Sequence, residues 1–164
     1  MTKTTSPDTV RWLTSDQQHA WRNYLEASQL LMAQLDKELR ETHQLAIGEY
    51  ELLVRLSEQP EHSMRMARLA AEVAISRSRL THIVSRMESR GLLARSTTCG
   101  DGRGVLCTMT DAGYRLLEDA APSHVTSVRE HFIDRTDDAH LDACGEAMEG
   151  IVTHLRHVRR IDRE

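Results

Sequence analysis

The chain has 164 residues, 40% hydrophobic and 28% charged, with a formal net charge of −4. That is the composition of one ordinary soluble domain, or of a small domain with a dimerisation extension. No apolar run approaches the roughly 18–20 residues that span a bilayer. The opening MTKTTSPDTV has no apolar segment after its charge, so no signal peptide is expected and the cytoplasm is the expected compartment. The three cysteines, Cys99, Cys107 and Cys144, form no CxxC pair. Neither a disulfide framework nor a zinc ribbon follows from them.

Residues 1–13 are polar. A long helix is expected over Ser15–Thr42, opened by a capping box of Thr14 with Gln17 or of Ser15 with Gln18. Trp21, Tyr24, Leu25, Ser28, Leu31, Met32, Leu35 and Leu39 recur along it at helical spacing. One small domain cannot cover so long a stripe, and part of it is expected to meet a partner chain. A short helix over Glu49–Glu58 follows, then a turn at Gln59–Ser63 and a very short strand at Met64–Arg65. Met66–Val73 reads as a helix, separated by Ala74–Ser76 from another that Ser76 caps and Gly91 ends. Two short helices so joined make a helix-turn-helix, with Leu69, Ala70, Val73, Ile75 and Leu80 as its small core. Strands are expected at Leu92–Ser96 and Val105–Met109, around a turn at Thr97–Gly104 that holds three glycines. Thr110 caps the next helix, which Pro122 should kink or end, with a continuation over His124–Asp134. Thr136 is expected to cap a last helix to about Arg160, with Leu141, Cys144, Met148, Ile151, Val152, Leu155 and Val158 on one side.

Charge is distributed unevenly along this plan. Residues 1–60 carry 6 basic and 9 acidic side chains, residues 61–104 carry 8 and 4, and residues 105–164 carry 7 and 12. The only positive stretch therefore coincides with the helix-turn-helix and the strand pair, and the local field outweighs the total in deciding a partner. Within it, Leu80, Ile83, Val84 and Met87 fall on one face of the helix that follows Ser76. Ser78, His82, Ser85 and Ser89 fall opposite, flanked by Arg79 and Arg86. Hydroxyl, imidazole and guanidinium groups on one face suit base edges and phosphates.

The chain resembles the MarR family of bacterial transcription regulators. Asp101-Gly-Arg103-Gly-Val-Leu-Cys-Thr-Met109-Thr110 is similar to that family's wing signature of Asp-x-Arg, five residues, then Leu or Ile and Thr. Met109 stands where the family usually has Leu. LAAEVAISRSRLTHIVSRMESRGLLAR resembles its helix-turn-helix, and the similarity runs from the first long helix to the last. The resemblance implies a mostly α fold with a small β wing. It divides into an N-terminal arm and dimerisation helix (1–44), a winged helix-turn-helix (45–110) and C-terminal dimerisation helices (111–164). It further implies a homodimer that binds near-palindromic double-stranded DNA, one recognition helix per major groove. Arg103 would enter the minor groove and Asp101 would steady the wing. Repression, by a compact dimer blocking a promoter, is the default expectation.

Arg79 and His82 are expected to touch bases. Ser76 and Ser78 sit at the positive end of the helix dipole. Ser78 and Thr81 either bond phosphate or stabilise the helix start. Arg86 is read as a phosphate contact, and Arg77 and Arg95 as phosphate or surface residues. For the signal, a small amphipathic or aromatic effector is the first expectation, with Trp12, Trp21, Tyr24, His43, Tyr50 and Met66 as lining candidates or as core. The alternative is thiol chemistry, Cys99 and Cys107 facing each other across a hairpin centred near Arg103. A ligand-independent architectural DNA-binding protein is a further alternative. No metal or cofactor is expected: His124 with His131 and His154 with His157 are weak pairs. An enzyme is not expected either, because the one glycine-rich segment, GDGRG, lies inside a hairpin and not between a strand and a helix.

Overall fold

The computed structural model describes residues 10–97 and 104–161, and side chains as far as residue 158. Among them are helices α1 (Ser15–His43), α2 (Ile47–Ser57), α3 (Met66–Glu72), α4 (Arg77–Ser89), α5 (Asp111–His131) and α6 (Asp138–Ile161). Strands β1 (Ser63–Arg65), β2 (Leu93–Thr97) and β3 (Val105–Met109) form one antiparallel sheet in the order β1-β3-β2. The register pairs Met64 with Cys107 and Leu93 with Met109.

The expected elements are present, and their ends follow from local chemistry. Of the two possible boxes at the start of α1, Thr14 and Gln17 form it: the Thr14 hydroxyl accepts from the Gln17 N–H, and the Gln17 side chain accepts from the Thr14 N–H. Gly91, at φ +71, takes the left-handed turn after α4. Ala74, at φ +56, takes the same conformation between α3 and α4 without a glycine's freedom. Thr110 joins three pieces. Its backbone N–H donates to Leu92 O, its hydroxyl lies 2.7 Å from Gly91 O, and its Oγ1 accepts from the Gly113 N–H to cap α5. Gly113 passes so close beneath that a Cβ there would lie 2.3 Å from Leu92 O.

Two expectations at the C-terminal end are corrected. The helix does not end at Pro122 but runs on to His131. A proline forfeits one helical hydrogen bond, and here packing along α1 outweighs that loss. Ala120 and Leu117 are buried, Ser123 Oγ lies 2.8 Å from His43 Nε2, and His131 Nε2 lies 2.7 Å from Glu38 Oε1. The cap of α6 is Asp137 and not Thr136, since Asp137 Oδ1 accepts from the His140 N–H at 3.0 Å. A carboxylate there also meets the positive end of the helix dipole.

The core lies under the winged lobe. Leu45, Leu52, Leu53, Leu56, Leu69, Leu80, Val84, Met87, Leu93 and Cys107 are all but inaccessible. Its edge is α1, which contributes Leu39 and, just outside the main cluster, Leu35. Beyond that edge the apolar stripes are uncovered. Trp12, Trp21, Tyr24, Leu30 and Met32 at one end, and Val125, Phe132, Ile151, Val152, Leu155 and Val158 at the other, stand exposed. Scattered exposed apolar residues are ordinary, but two whole helices striped in this way are not. No helix among the described residues is long and apolar enough to cross a membrane.

The α1–α5 seam carries a pH signature. The neighbouring Ser127 hydroxyl and hydrogen bonds from Gln34 and His131 hold the Glu38 carboxyl down to about 2, from an ordinary 4.5. A depressed carboxylate contributes stability in full above its unfolded value and loses it as pH falls through the folded one. Thermal unfolding should therefore show an acid limb between pH 4.5 and about 2 that is shallower in Glu38→Gln. Identical limbs would show that Glu38 is not part of the linkage.

Candidate nucleic-acid interface

Helix α4 is held from three directions, which decides what it leaves free. Its inner face buries Leu80, Val84 and Met87, with Ile83 packed at the margin. On one flank Glu88 takes the Arg95 guanidinium of β2, at 2.6 Å from Nη2, and also the Arg95 backbone N–H. This ion pair holds the Glu88 carboxyl below the usual range. Arg95 also donates to Ser85 Oγ at 3.1 Å. On the other flank, Glu49 of α2 accepts from Arg86 Nε at 2.9 Å and from Arg90 Nη1 at 3.3 Å.

These pairs engage two of the expected contact residues within the chain. Arg86, read from the sequence as a phosphate contact, has its Nε on Glu49. Arg95, read as a phosphate or surface residue, bolts the wing to α4. The C-terminal half of the polar face is likewise partly used up, with Ser85 under Arg95 and the Ser89 hydroxyl on Ser85 O.

The N-terminal half is open. Ser76, Arg77, Ser78, Arg79, Thr81 and His82 are exposed. Ser76 Oγ accepts from the Arg79 N–H at 3.3 Å and lies 3.1 Å from Ser78 Oγ, so it caps the helix as expected. The Thr81 hydroxyl donates to Arg77 O, leaving its lone pairs outward. Among the described residues, the side chains of Arg77, Arg79 and His82 have no hydrogen-bond or ion-pair partner. Arg79 and His82 also border a polar cleft of about 320 Å³ between α4 and the start of α2, whose wall includes Arg40, Asp36 and Gly48. Asp101 and Arg103 lie outside the described residues, in the segment joining β2 to β3.

The thiol expectation is corrected in its geometry. The strand register pairs Cys107 with Arg95, not with Cys99, which lies outside the described residues. Cys107 points into the core with no exposure, and burial pushes its thiol up to about 11. A thiol so placed is a small hydrophobe and not a nucleophile.

The six effector candidates fall in three places. Trp12, Trp21 and Tyr24 are exposed on and before α1, the last two with ring centroids 5.9 Å apart. His43 and Tyr50 meet α5: His43 Nδ1 lies 3.2 Å from Asp119 Oδ2, and the Tyr50 ring lies 4.4 Å from His124. Beside them a cleft of about 390 Å³ is lined by Leu39, Thr42, Ser123 and His124, among others. Met66 lines a different hollow, against Arg77 and Leu80 under the wing. Among the described residues no three His, Cys, Asp or Glu side chains gather at metal-binding distances.

Glu49 was missed by sequence reading. The spacing Ala46-x-x-Glu49 was the available signal: its Oε2 accepts from the Ala46 N–H at 2.9 Å, half of a capping box.

The burial of Cys107 is testable directly. At equal pH its alkylation in the native protein should be about 100-fold slower than after unfolding, given the raised thiol and the closed site. Equal rates, read by peptide mass mapping, would contradict the strand register.

Comparison with known proteins gives the relationship. The MarR family model matches residues 45–105, the winged lobe. AbsC, a MarR family transcriptional regulator from Streptomyces coelicolor, is 41% identical, with 90% of this chain and 99% of that one covered and a TM-score of 0.85. Sco3205, a MarR family transcriptional regulator of the same organism solved in complex with DNA, is 39% identical over 91% and 93% of the two chains, with a TM-score of 0.87. CouR from Rhodococcus jostii RHA1, solved with p-coumaroyl-CoA, shares the fold at 22% identity, 87% and 95% coverage and a TM-score of 0.69. No curated protein matches. A winged helix-turn-helix with this sheet order, and two relatives near 40% identity over almost their whole length, place the chain in the MarR family of transcriptional regulators.

Proposed function

We propose that the protein is a homodimeric repressor that binds a near-palindromic operator through α4 and the wing and leaves it when a small effector binds. The observation that carries this is the outward N-terminal half of α4. Arg77, Arg79 and His82 stand there without a side-chain partner among the described residues, next to the hydroxyls of Ser76, Ser78 and Thr81. Unpaired guanidinium groups on the one positive segment of an acidic chain are what a polyanion would select. The related Sco3205, seen with DNA, supports the same reading. In it Arg79 and His82 meet base edges in the major groove, and Arg77, Ser76, Ser78 and Thr81 meet the backbone. Arg103 enters the minor groove, where negative potential concentrates, and Asp101 steadies its loop.

The second copy follows from the uncovered stripes of α1, α5 and α6. Two chains that bury these faces against each other set their recognition helices at a fixed spacing, roughly 34–36 Å for adjacent half-sites. The effector is a small amphipathic or aromatic molecule. The cleft beside His43 and Tyr50 lies between α1 and α5, so an occupant there would bias how these two helices pack on each other. A protein that acts on the chromosome in this way works in the cytoplasm.

Selection of bound DNA from a random pool tests the reading, and an inverted repeat should emerge. Arg79→Ala should lose about 1–3 kcal/mol of discrimination at one base pair of each half-site. Arg103→Ala should weaken operator binding strongly while the dimer stays folded. A gel shift in which both variants bind as the parent does would refute the assignment, and uniform binding with no selected sequence would mark an architectural protein instead. The dimer has its own test. Leu155→Glu, in the middle of the α6 stripe, should sediment as a monomer and bind DNA far more weakly, and an unchanged sedimentation coefficient would place the interface elsewhere.

A further inference from the structure

Among the described residues the winged lobe contains one buried charge, Glu49, at 3% exposure, and both its oxygens are engaged. Oε2 receives the Ala46 N–H and Arg90 Nη1; Oε1 receives Arg86 Nε. Arg86 and Arg90 are four residues apart and so lie on one face of α4, that of Arg79 one further pair of turns back. The start of α2 that carries Glu49 is itself tied to α1, since Asp36 Oδ1 accepts from the Ile47 N–H at 2.8 Å and Oδ2 takes Arg40 at 2.6 Å.

A cap alone does not call for this arrangement. The capping half of Glu49 needs one oxygen and no cation. Two arginines on long flexible stems, in the segment that faces a polyanion, would by default extend outward and add sequence-independent affinity. Here both are turned back onto an acid that burial keeps from water. Breaking a buried pair leaves an uncompensated charge, so the arginines are held firmly even though Arg86 is half exposed.

We propose that Glu49 is a positioning residue that sets specificity: it withholds Arg86 and Arg90 from the DNA backbone and fixes α4 against α2. Only the N-terminal arginines of the helix are then presented. Operator binding, which depends on α4 lying at the right depth and angle, is favoured, and non-specific binding, which depends on the number of available cations, is reduced. This rests on the DNA-binding reading above.

The experiment compares the full-length parent, Glu49→Gln, Arg86→Gln and the double variant. Each is titrated by fluorescence anisotropy with the selected operator and with a duplex of random sequence, over a series of salt concentrations. Each phosphate newly neutralised steepens the salt slope by about 0.9. Glu49→Gln should steepen the non-specific slope by about one to two and lower the operator-to-random ratio by about tenfold or more. Arg86→Gln alone should leave the non-specific slope where it was, and in the double variant it should undo part of the steepening. Two results would overturn the inference: a slope about 0.9 shallower in Arg86→Gln, which would put Arg86 on a phosphate already, or an unchanged ratio in folded, dimeric Glu49→Gln. If Glu49→Gln does not fold, Arg86→Gln decides by itself. A parent protein that selects no sequence would bring down the regulator reading and this inference together, whereas a selective parent with unaltered variants would bring down this inference alone.

Discussion

Three anchors hold the recognition helix, and the rest of the molecule is arranged to supply them. Thirteen residues that include four hydroxyl side chains and three arginines would not stay helical alone in water. Leu80, Val84 and Met87 provide the first anchor, each worth about 1.5–3 kcal/mol on full burial. Burial along one stripe sets which face of the helix turns inward. The ion pairs on the two flanks add to that, Glu88 with Arg95 toward the wing and Glu49 with Arg86 and Arg90 toward α2. Helix α4 is therefore tied directly to both β2 and α2.

The same economy explains the small sheet. β3 lies between β1 and β2, so its inward residues, Cys107 and Met109, close the bottom of the core while its neighbours face out. Thr110, the last residue of the wing signature, ends the strand and begins α5 in one position. Its backbone and hydroxyl bind the turn after α4, so the wing's second strand and the recognition helix end at the same point in space. Gly113 is the residue that lets α5 come this close, because the Leu92 carbonyl occupies the place of a side chain.

Much of this could be read from the residues because it depends on local rules. Capping by Thr14, Ser76 and Thr110, the left-handed turn at Gly91 and the stripe of Leu80, Val84 and Met87 each follow from a few neighbouring positions. What escaped was set by partners distant in sequence. Arg86 and Arg95 look alike on a helical wheel or a strand, and only the fold tells that an acid 37 residues upstream takes one and an acid seven residues upstream takes the other. Glu49 itself is exposed in any propensity-based reading, since acids are seldom fully buried without a partner and the partners were not visible. That α5 does not end at Pro122 has the same reason: local rules count its lost hydrogen bond, and the packing of α5 on α1 that offsets it is tertiary. The facing of Cys99 and Cys107 rested on a hairpin centre near Arg103, and the register, centred nearer residue 101, moves Cys107 opposite Arg95.

Overall acidity need not oppose a DNA partner, and it contributes to how one is met. Residues 1–60 and 105–164 are net negative and hold α1, α2, α5 and α6, while residues 61–104 are net positive and hold α3, α4 and β2. A duplex approaching the acidic segments meets net like charge, which discourages wrong encounters more than it strengthens the right one. The internal pairing of Arg86, Arg90 and Arg95 sharpens this further. It offsets positive charge at the C-terminal end of α4 and leaves it at the N-terminal end, so a duplex bound as proposed would be met by the helix N-terminus first.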